Sequence, residues 1–312
     1  MNLHEGFVAF RNKHFEFRFG RFEMAYGDEL VIGSVGWNPT GRSFDAFRLR
    51  VTPNDTAAFV DAFFSVIGEG AKPKFGGGDV YFAGTYAALG PLFSKSMDID
   101  AYILGQFRVA YSDATTTVAK LARITIGSRI KNTIGAFDYR AEAALQTGRN
   151  ADATILAGQV DAEIGLKVGK FRGSLEGAFA SGDNPNSSKD EAYDQLYPTA
   201  HKWLGLSDII GARSNVASGI LHAAFSPSDV WKIYADGHVF FRPQDIVRND
   251  GMTVSVTESG YFGSEVDLGA IYTIGPGLKA RVGYALFIPS DDAYATKKPA
   301  HFLEVEIRYD RL

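Results

Sequence analysis

The sequence predicts an all-β fold, an antiparallel up-and-down β-barrel that crosses a membrane with about fifteen strands. Three observations predict it: charged and apolar side chains alternate every second residue, long and short connections take turns, and most strands run roughly 9–13 residues, enough to cross a bilayer when tilted. Alternation alone would also suit a soluble antiparallel sheet with its apolar face in a core. Globular strands average roughly 5–6 residues, and a soluble sandwich would not sort its connections by parity.

The chain contains 312 residues, 46% of them hydrophobic and 22% charged, with a net charge of −4. This composition is typical of a folded protein and gives no case for nucleic-acid binding. Aromatic residues reach 13% and glycine numbers 34, which fits aromatic girdles and curved strands. Cysteine is absent, so disulfides and thiolate chemistry are excluded. No uncharged apolar run approaches the length of a membrane-spanning helix.

The opening segment lacks the basic start and apolar centre of a signal peptide. We therefore expect a single β-barrel domain over residues 1–312, without its signal peptide and first strands. If the last strand runs toward the periplasm, an odd strand number makes the first strand begin at the outer face, whereas a complete even-numbered barrel has both termini in the periplasm. An odd number of missing N-terminal strands explains this, and so does a miscount by one between Ala57 and Met97.

The strands follow in order from the alternation. Seven are predicted before the centre of the chain, at residues 3–10, 15–26, 44–51, 57–67, 79–89, 98–111 and 117–130. Three more lie within residues 133–183, where Asp138, Arg140 and Glu142 oppose Phe137 and Tyr139. The last five are predicted at residues 216–225, 231–242, 261–274, 279–288 and 301–309. No helix longer than a turn or two is predicted.

The connections sort by length. The long ones lie at residues 289–300, 243–260, 184–214 and 27–42, and a connection of intermediate length lies at residues 146–152. The short ones that alternate with them include residues 275–277, 226–229, 169–170 and 131–132. Bacterial outer-membrane barrels have short periplasmic turns and longer extracellular loops, so the predicted location is the bacterial outer membrane.

Two blocks of residues carry a family resemblance. The first runs through Gly20-Arg21-Phe22-Glu23, Tyr26-Gly27-Asp28-Glu29-Leu30 and Trp37 to Gly41–Arg48, and the second covers Ala180–Asn184, Leu196–His201 and Leu204–Asp208. The motif residues are Gly20, Arg21, Glu23, Asp28, Trp37, Phe44, Asp45, Pro198 and His201. Together they resemble the alginate export family of outer-membrane porins. The sequence departs from the family at Leu30-Val31, where the family tends to place an arginine, and at Leu312, where the family ends on an aromatic residue.

The resemblance implies a monomeric barrel of 18 strands, from which three would be missing here. It also implies a channel for passive export of an anionic exopolysaccharide through an arginine-rich lumen. The implied partners are an anionic polysaccharide or small anionic solute, outer-membrane lipid and a periplasmic export machinery. A general or small-solute porin is the alternative, and a barrel enzyme or surface-binding barrel is a third class.

Alternation assigns a set of charged residues to the lumen. The cations are Arg18, Arg48, Arg50, Arg108, Arg123, Arg129, Arg140, Lys167, Arg172, Lys232, Arg242, Lys279, Arg281 and Arg308. The carboxylates include Asp138, Glu142, Asp161, Glu163 and Asp236. Arginine suits planar carboxylate recognition, and interspersed carboxylates keep binding weak enough for release. The competing interpretation is the charged lumen that any porin has.

Three features leave alternatives open. Residues 184–214 and 27–42 either fold inward as gates or are mobile extracellular loops. Arg21 and Glu23 fall on the apolar phase of their strand, which indicates either a bulge or a position above the lipid band. Asp183–Asn186 with Asp190 could bind Ca²⁺ or form a solvated loop.

Catalytic chemistry is not predicted. The sequence contains no Gly-x-Ser-x-Gly, no P-loop and no His-Glu-x-x-His, and its six histidines lack metal-ligand spacing. Same-face carboxylate pairs such as Asp161 and Glu163 could imitate a glycosidase pair, but any charged strand produces them. We expect no enzyme activity, no cofactor and no metal.

Overall fold

The computed structural model describes residues 3–38, 40–53, 56–69, 78–94, 96–112, 117–249, 254–290 and 298–309. In chain order the strands are β1 Gly6–Arg11, β2 Phe15–Phe22, β3 Phe44–Val51, β4 Phe59–Gly68, β5 Val80–Ala88, β6 Met97–Arg108, β7 Tyr111–Ser112, β8 Thr117–Val118, β9 Leu121–Ile134, β10 Phe137–Asn150, β11 Ala153–Val168, β12 Phe171–Ala180, β13 Val216–Ser228, β14 Trp231–Arg242, β15 Ile246–Asn249, β16 Val254–Thr257, β17 Gly260–Gly275, β18 Leu278–Pro289 and β19 Ala300–Tyr309. Fifteen of them form one antiparallel meander, while β7–β8 and β15–β16 are separate short hairpins.

The two faces of the sheet differ in the way the alternation predicts. In β12, Leu175 and Phe179 are 58% and 42% exposed, whereas Ser174 and Glu176, on either side of Leu175, are buried. A soluble sheet would bury its leucines and expose its glutamates. The reverse arrangement, repeated from strand to strand, is the one expected when the apolar face contacts lipid.

The described chain divides into two compact units. The first comprises Met1–Asn132, Glu142–Gln159 and Asn186–Thr199, and the second comprises Thr133–Ala141, Val160–Pro185 and Ala200–Leu312. In the first unit, the buried side chains include Phe22, Met24, Tyr26, Leu30, Val31, Ile32, Phe44, Phe63, Phe82 and Tyr86. In the second unit they include Trp203, Leu204, Leu206, Phe240, Phe262 and Phe287. Each core therefore combines strand residues with residues from an irregular segment.

The fifteen-strand prediction is confirmed, and several boundaries are wrong. β10 continues to Asn150, so the connection predicted at residues 146–152 is only a two-residue turn that Ala151 enters with φ of 51°. The loop predicted at residues 243–260 contains the β15–β16 hairpin, and β2 ends at Phe22. Much of the connection predicted at residues 289–300 lies outside the described residues, and so does Leu312.

Helical structure in the described residues comprises two three-residue 3₁₀ turns, Gly90–Leu92 and Ala200–Lys202. Within the same residues, no helix is long and apolar enough to cross a membrane.

The strand carrying Arg21 has no bulge at that point. β2 pairs residue by residue with β1 as far as Arg21 and with β3 as far as Phe22, without a shift in register. Arg21 thus stays on the apolar phase at the end of its strand, where its guanidinium binds the Asp45 carboxylate through two hydrogen bonds of 2.7 and 2.5 Å. Glu23 beside it contacts His4 at 2.7 Å. An ion pair at the strand end agrees with the alternative that these residues lie above the lipid band.

Candidate channel lining

Arg140 is the centre of the charged face in the second unit. The strand alternation points its side chain away from the apolar face, toward carboxylates on the two following strands. Its guanidinium donates to Asp161 at 2.5 Å, Glu163 at 2.9 Å and Glu176 at 2.6 Å. Asp161 is fully buried and Glu176 nearly so, which means that these carboxylates depend on their cationic partners.

A second group of ion pairs continues from Arg140. Arg172 binds Asp138 through two hydrogen bonds and Glu163 at 2.9 Å. His222 bridges Glu176 at 3.2 Å and Asp236 at 2.7 Å. Toward β19, Arg281 contacts Glu304 at 3.0 Å. Charge-assisted hydrogen bonds therefore tie β10 through β14 together on one face, and a further ion pair joins β18 to β19.

Residues 200–215 lie on this charged face. Leu206 and Ser207 donate their backbone N–H groups to Asp267 and Glu265 at 3.1 and 2.8 Å. Arg213 contacts Asp161 at 2.8 Å, and the Trp203 ring lies 4.6 Å from the Arg140 guanidinium carbon. In the second unit the predicted inward-folding loop therefore packs against the charged strands and covers them.

His201 anchors the beginning of the same segment. Its two ring nitrogens contact Asp208 at 2.7 Å and Glu304 at 3.3 Å, and the ring is buried. Burial lowers the pKa of His201, but the hydrogen bonds to the two carboxylates outweigh burial and raise the pKa above its ordinary value. The protonated ring is thus the form that this environment favours.

The charged face of the first unit begins at Glu16 and Asp61. Glu16 accepts from Arg48 at 2.5 Å and lies 2.9 Å from Arg18. Asp61, which is fully buried, accepts from Arg50 at 2.7 and 2.8 Å and from the Tyr26 hydroxyl at 2.7 Å. The arginines predicted on β2 and β3 are thus held by carboxylates, not presented singly.

Arg129 forms ion pairs with three carboxylates in the same unit. It contacts Asp28 at 2.9 Å, Asp100 at 2.8 Å and Asp98 at 3.3 Å. Burial raises the pKa of the Asp28 carboxyl, but hydrogen bonds from Arg129 and Lys131 outweigh it and hold the pKa below its usual range. Because Asp28 belongs to the loop between β2 and β3, this cluster fixes that loop to the strands.

The two blocks of family-motif residues meet in the first unit. Ile32 forms a parallel bridge with Tyr197, and Arg42 donates to the Pro198 carbonyl at 2.7 Å. Thr199 donates to Glu29 at 2.5 Å. In this unit, residues 27–42 and 186–199 of the predicted gate loops therefore pack against the charged face and against each other. The two segments are far apart in sequence, so the sequence does not predict this contact.

Buried polar contacts hold residues 186–199 in place. Arg123 donates to Asp194 at 2.7 Å, and Gln146 donates to the Asp194 carbonyl while accepting from the Asp194 N–H at 2.9 Å. Tyr197 packs edge-on against Phe44 and Phe82, with ring centroids 5.8 and 4.8 Å apart. This segment is thus as firmly attached as the loop between β2 and β3.

Other predicted residues lie apart from these clusters. Lys167, Lys232 and Arg308 are exposed near strand ends. Arg108 donates to the Ala119 carbonyl at 2.8 Å and Arg242 to the Glu258 carbonyl at 3.3 Å. Of the remaining predicted residues, Glu142 accepts from the Tyr102 hydroxyl, Gly20 has a φ of 127°, and Trp37 is exposed.

Sequence reasoning missed several residues of the clusters. Asp61 lies in a strand, on the buried phase of its alternation, so that alternation could have identified it. Trp203, Arg213 and Asp194 lie in an irregular segment, where no period indicates direction. Among the residues that the structure describes, no group of three or more His, Asp or Glu side chains could hold a metal ion.

The strand meander, its apolar outer face and its loop-covered charged face define an outer-membrane β-barrel of the porin type. The chain belongs to the alginate export family, whose model matches residues 1–304. That match confirms the resemblance and, with the structural neighbours, the location in the bacterial outer membrane. No curated protein matches the chain.

Solved outer-membrane proteins of Pseudomonas aeruginosa share the fold. OpdK with vanillate is 13% identical, with a TM-score of 0.63 over 97% of this chain and 77% of that one. OprD is 11% identical, with a TM-score of 0.58 over 95% and 75% of the two chains. OccK2 (OpdF) in complex with glucuronate is 13% identical, with a TM-score of 0.57 over 97% and 79%. The family and these folds point to a transport channel, and at such identities the structural likeness concerns the fold alone.

Proposed function

We propose that this protein is a passive outer-membrane channel through which an anionic exopolysaccharide of the alginate type leaves the cell. The observation that carries the proposal is the arrangement around Arg140, where one guanidinium binds three carboxylates at 2.5–2.9 Å. A uronate sugar offers the same chemical group as those aspartate and glutamate side chains. Planar guanidinium–carboxylate pairing suits such a polymer at every sugar.

Exchange of carboxylates explains how a polyanion could pass without an energy source. Removing one partner from a buried ion pair is costly, whereas replacing it with another carboxylate keeps the charge paired. The charged clusters around Arg140 and Arg129 each contain several carboxylates and therefore support such stepwise exchange. The loops that cover the charged face have to move away from it before a polymer can enter. The channel is therefore closed at rest.

A small-solute porin that takes single carboxylates is the second candidate. The observation in its favour is that most arginines of the charged face already have carboxylate partners, so the face has no large excess of positive charge. The fold is also shared with proteins solved with vanillate and with glucuronate, each a small carboxylate.

Single-channel recording in planar bilayers separates the two candidates. We expect polymannuronate to block the current, the block to weaken as salt rises because the contacts are ionic, and a neutral dextran of equal length to have no effect. Arg140→Gln should weaken the block, and Arg149→Gln, which removes an exposed arginine at a strand end, should leave it unchanged. Block by glucuronate without block by the polymer would favour the small-solute porin.

A further inference from the structure

The short-turn end of the second unit has a different charge pattern from the middle of its strands. The turns after β11 and β13 lie at the same end of the sheet, because β11 to β14 follow one another in an antiparallel order. A cavity of about 550 Å³ opens between them. Its charged lining consists of Lys167, Lys170, Lys232 and a single carboxylate, Asp229.

Two of these lysines belong to the charged face of the sheet. Lys167 alternates with Leu166 and Val168, which are exposed on the apolar face, and Lys232 alternates with Trp231 and Ile233 in the same way. Within the described residues, neither lysine has a carboxylate at ion-pair distance, and both are exposed. Lys170 differs, because its ammonium donates to the Pro227 carbonyl.

The contrast with the arginine clusters has a physical meaning. Buried arginines that hold carboxylates exert little field outside the protein, whereas exposed lysines in excess over carboxylates attract anions from a distance. Lysine is also a strongly hydrated point charge, which favours a loose and rapid first contact over a fixed bidentate one. In outer-membrane barrels the short turns face the periplasm, the side on which an exported polymer arrives.

We propose that this lysine cavity, formed by Lys167, Lys170, Lys232 and Asp229, is the docking site that captures an acidic polysaccharide at the periplasmic end of the channel. The inference rests on the proposed export function. It adds to that function the residues that first bind the polymer and the side of the membrane from which the polymer enters. Capture raises the local concentration of polymer before any carboxylate reaches the arginine clusters. The site therefore acts on the rate of entry and leaves the passage itself unchanged.

The test compares polymannuronate added to one side of a bilayer and then to the other, on single channels. The wild-type protein should be blocked faster from one side than from the other, and rising salt should reduce this asymmetry. Lys167→Ser combined with Lys232→Ser should slow block from the faster side by about tenfold, the lower end of electrostatic steering, and leave the slower side unaffected. Lys170 is kept because of its bond to Pro227.

The matched control removes two lysines near the other strand ends. Lys120 directly precedes β9, Lys189 lies between β12 and β13, and both are exposed. The double variant Lys120→Ser and Lys189→Ser should still be blocked by polymannuronate faster from one side of the bilayer than from the other. Block at equal rates from both sides, or a fast side that survives loss of Lys167 and Lys232, would overturn the docking site and leave polymer export standing. Absence of block from either side would refute the export function itself.

Discussion

Individual ion pairs on the charged face determine what a single substitution does. Arg140→Ala would remove the cation that the buried Asp161 and Glu176 share, and breaking a buried pair costs roughly 3–5 kcal/mol. We expect the lower part of that range, since Arg213 stays 2.8 Å from Asp161. The midpoint of unfolding in detergent measures the loss. Arg140→Lys should recover part of it, and Arg149→Ala, at an exposed site, should change stability by less than about 0.5 kcal/mol.

His201 gives the attachment of residues 200–215 a defined pH dependence. Its pKa in the folded protein is raised above the ordinary value of roughly 6.5, so its contribution to stability is complete below that value and disappears as pH rises through the folded pKa. Protease cleavage within residues 200–215 should therefore be slower at pH 6 than at pH 9. His201→Gln should cleave at similar rates at both values, and an unchanged pH response in that variant would contradict this role.

Individual residues also show which parts of the candidate site the sequence could predict. Alternation identified Arg140, Asp161 and Glu163 as residues of one face, and the structure joins them within hydrogen-bonding distance. It could not identify their partner Arg213, because a side chain in an irregular segment has no period that fixes its direction. Pairing itself was also beyond the pattern, since register between strands depends on where each turn begins.

At the scale of elements, the two irregular segments contribute more than the strands to closing the charged face. Residues 186–199 are fixed by Tyr197 and Asp194, and residues 200–215 by Leu206, Ser207 and Arg213. Replacing residues 203–210 with a short glycine–serine linker should raise single-channel conductance. The point variant Ser207→Ala, which loses only the hydroxyl hydrogen bond to Glu265 and keeps the one from its backbone N–H, serves as a graded comparison. Unaltered conductance after the replacement would show that these residues do not close the channel.

The strands were predictable because charged and apolar side chains alternate every second residue. The wrong strand boundaries lie where this alternation is interrupted. Residues 146–152 contain polar residues and glycine in succession, which resembles a connection, yet Gln146 continues the charged face and Gly148 accommodates a φ of 130°. The hairpin of Ile246–Asn249 with Val254–Thr257 lies in a segment that the sequence predicts as a loop, since strands of four residues are too short to show a clear alternation. In both places the local sequence resembles a connection, although the backbone forms strands.

At the scale of the whole molecule, the apolar exposed face should respond to charge according to depth in the membrane. Leu221 lies in the middle of β13, between Leu175 and Gly237 on the neighbouring strands, and is 64% exposed. Val168 is equally exposed, at 65%, but is the last residue of β11 beside a short turn. An arginine near the bilayer midplane costs roughly 2–4 kcal/mol and near the interface roughly 0–1 kcal/mol. Leu221→Arg should therefore destabilise the protein in lipid vesicles far more than Val168→Arg, as measured by denaturant unfolding.

The comparison also separates a lipid-facing surface from a water-facing one. On a sheet that exposes its leucines to water, Leu221→Arg would replace an apolar group with a solvated one and change stability by less than about 0.5 kcal/mol. The difference between Leu221 and Val168 should shrink in a thin-bilayer lipid, because the middle of β13 then lies closer to the interface. Equal effects of the two substitutions in thick and thin bilayers would mean that β11 and β13 do not span the membrane at the depths that their turns imply. A larger effect at Leu221, graded by bilayer thickness, would place the short turns, and the lysine cavity between them, near a membrane interface.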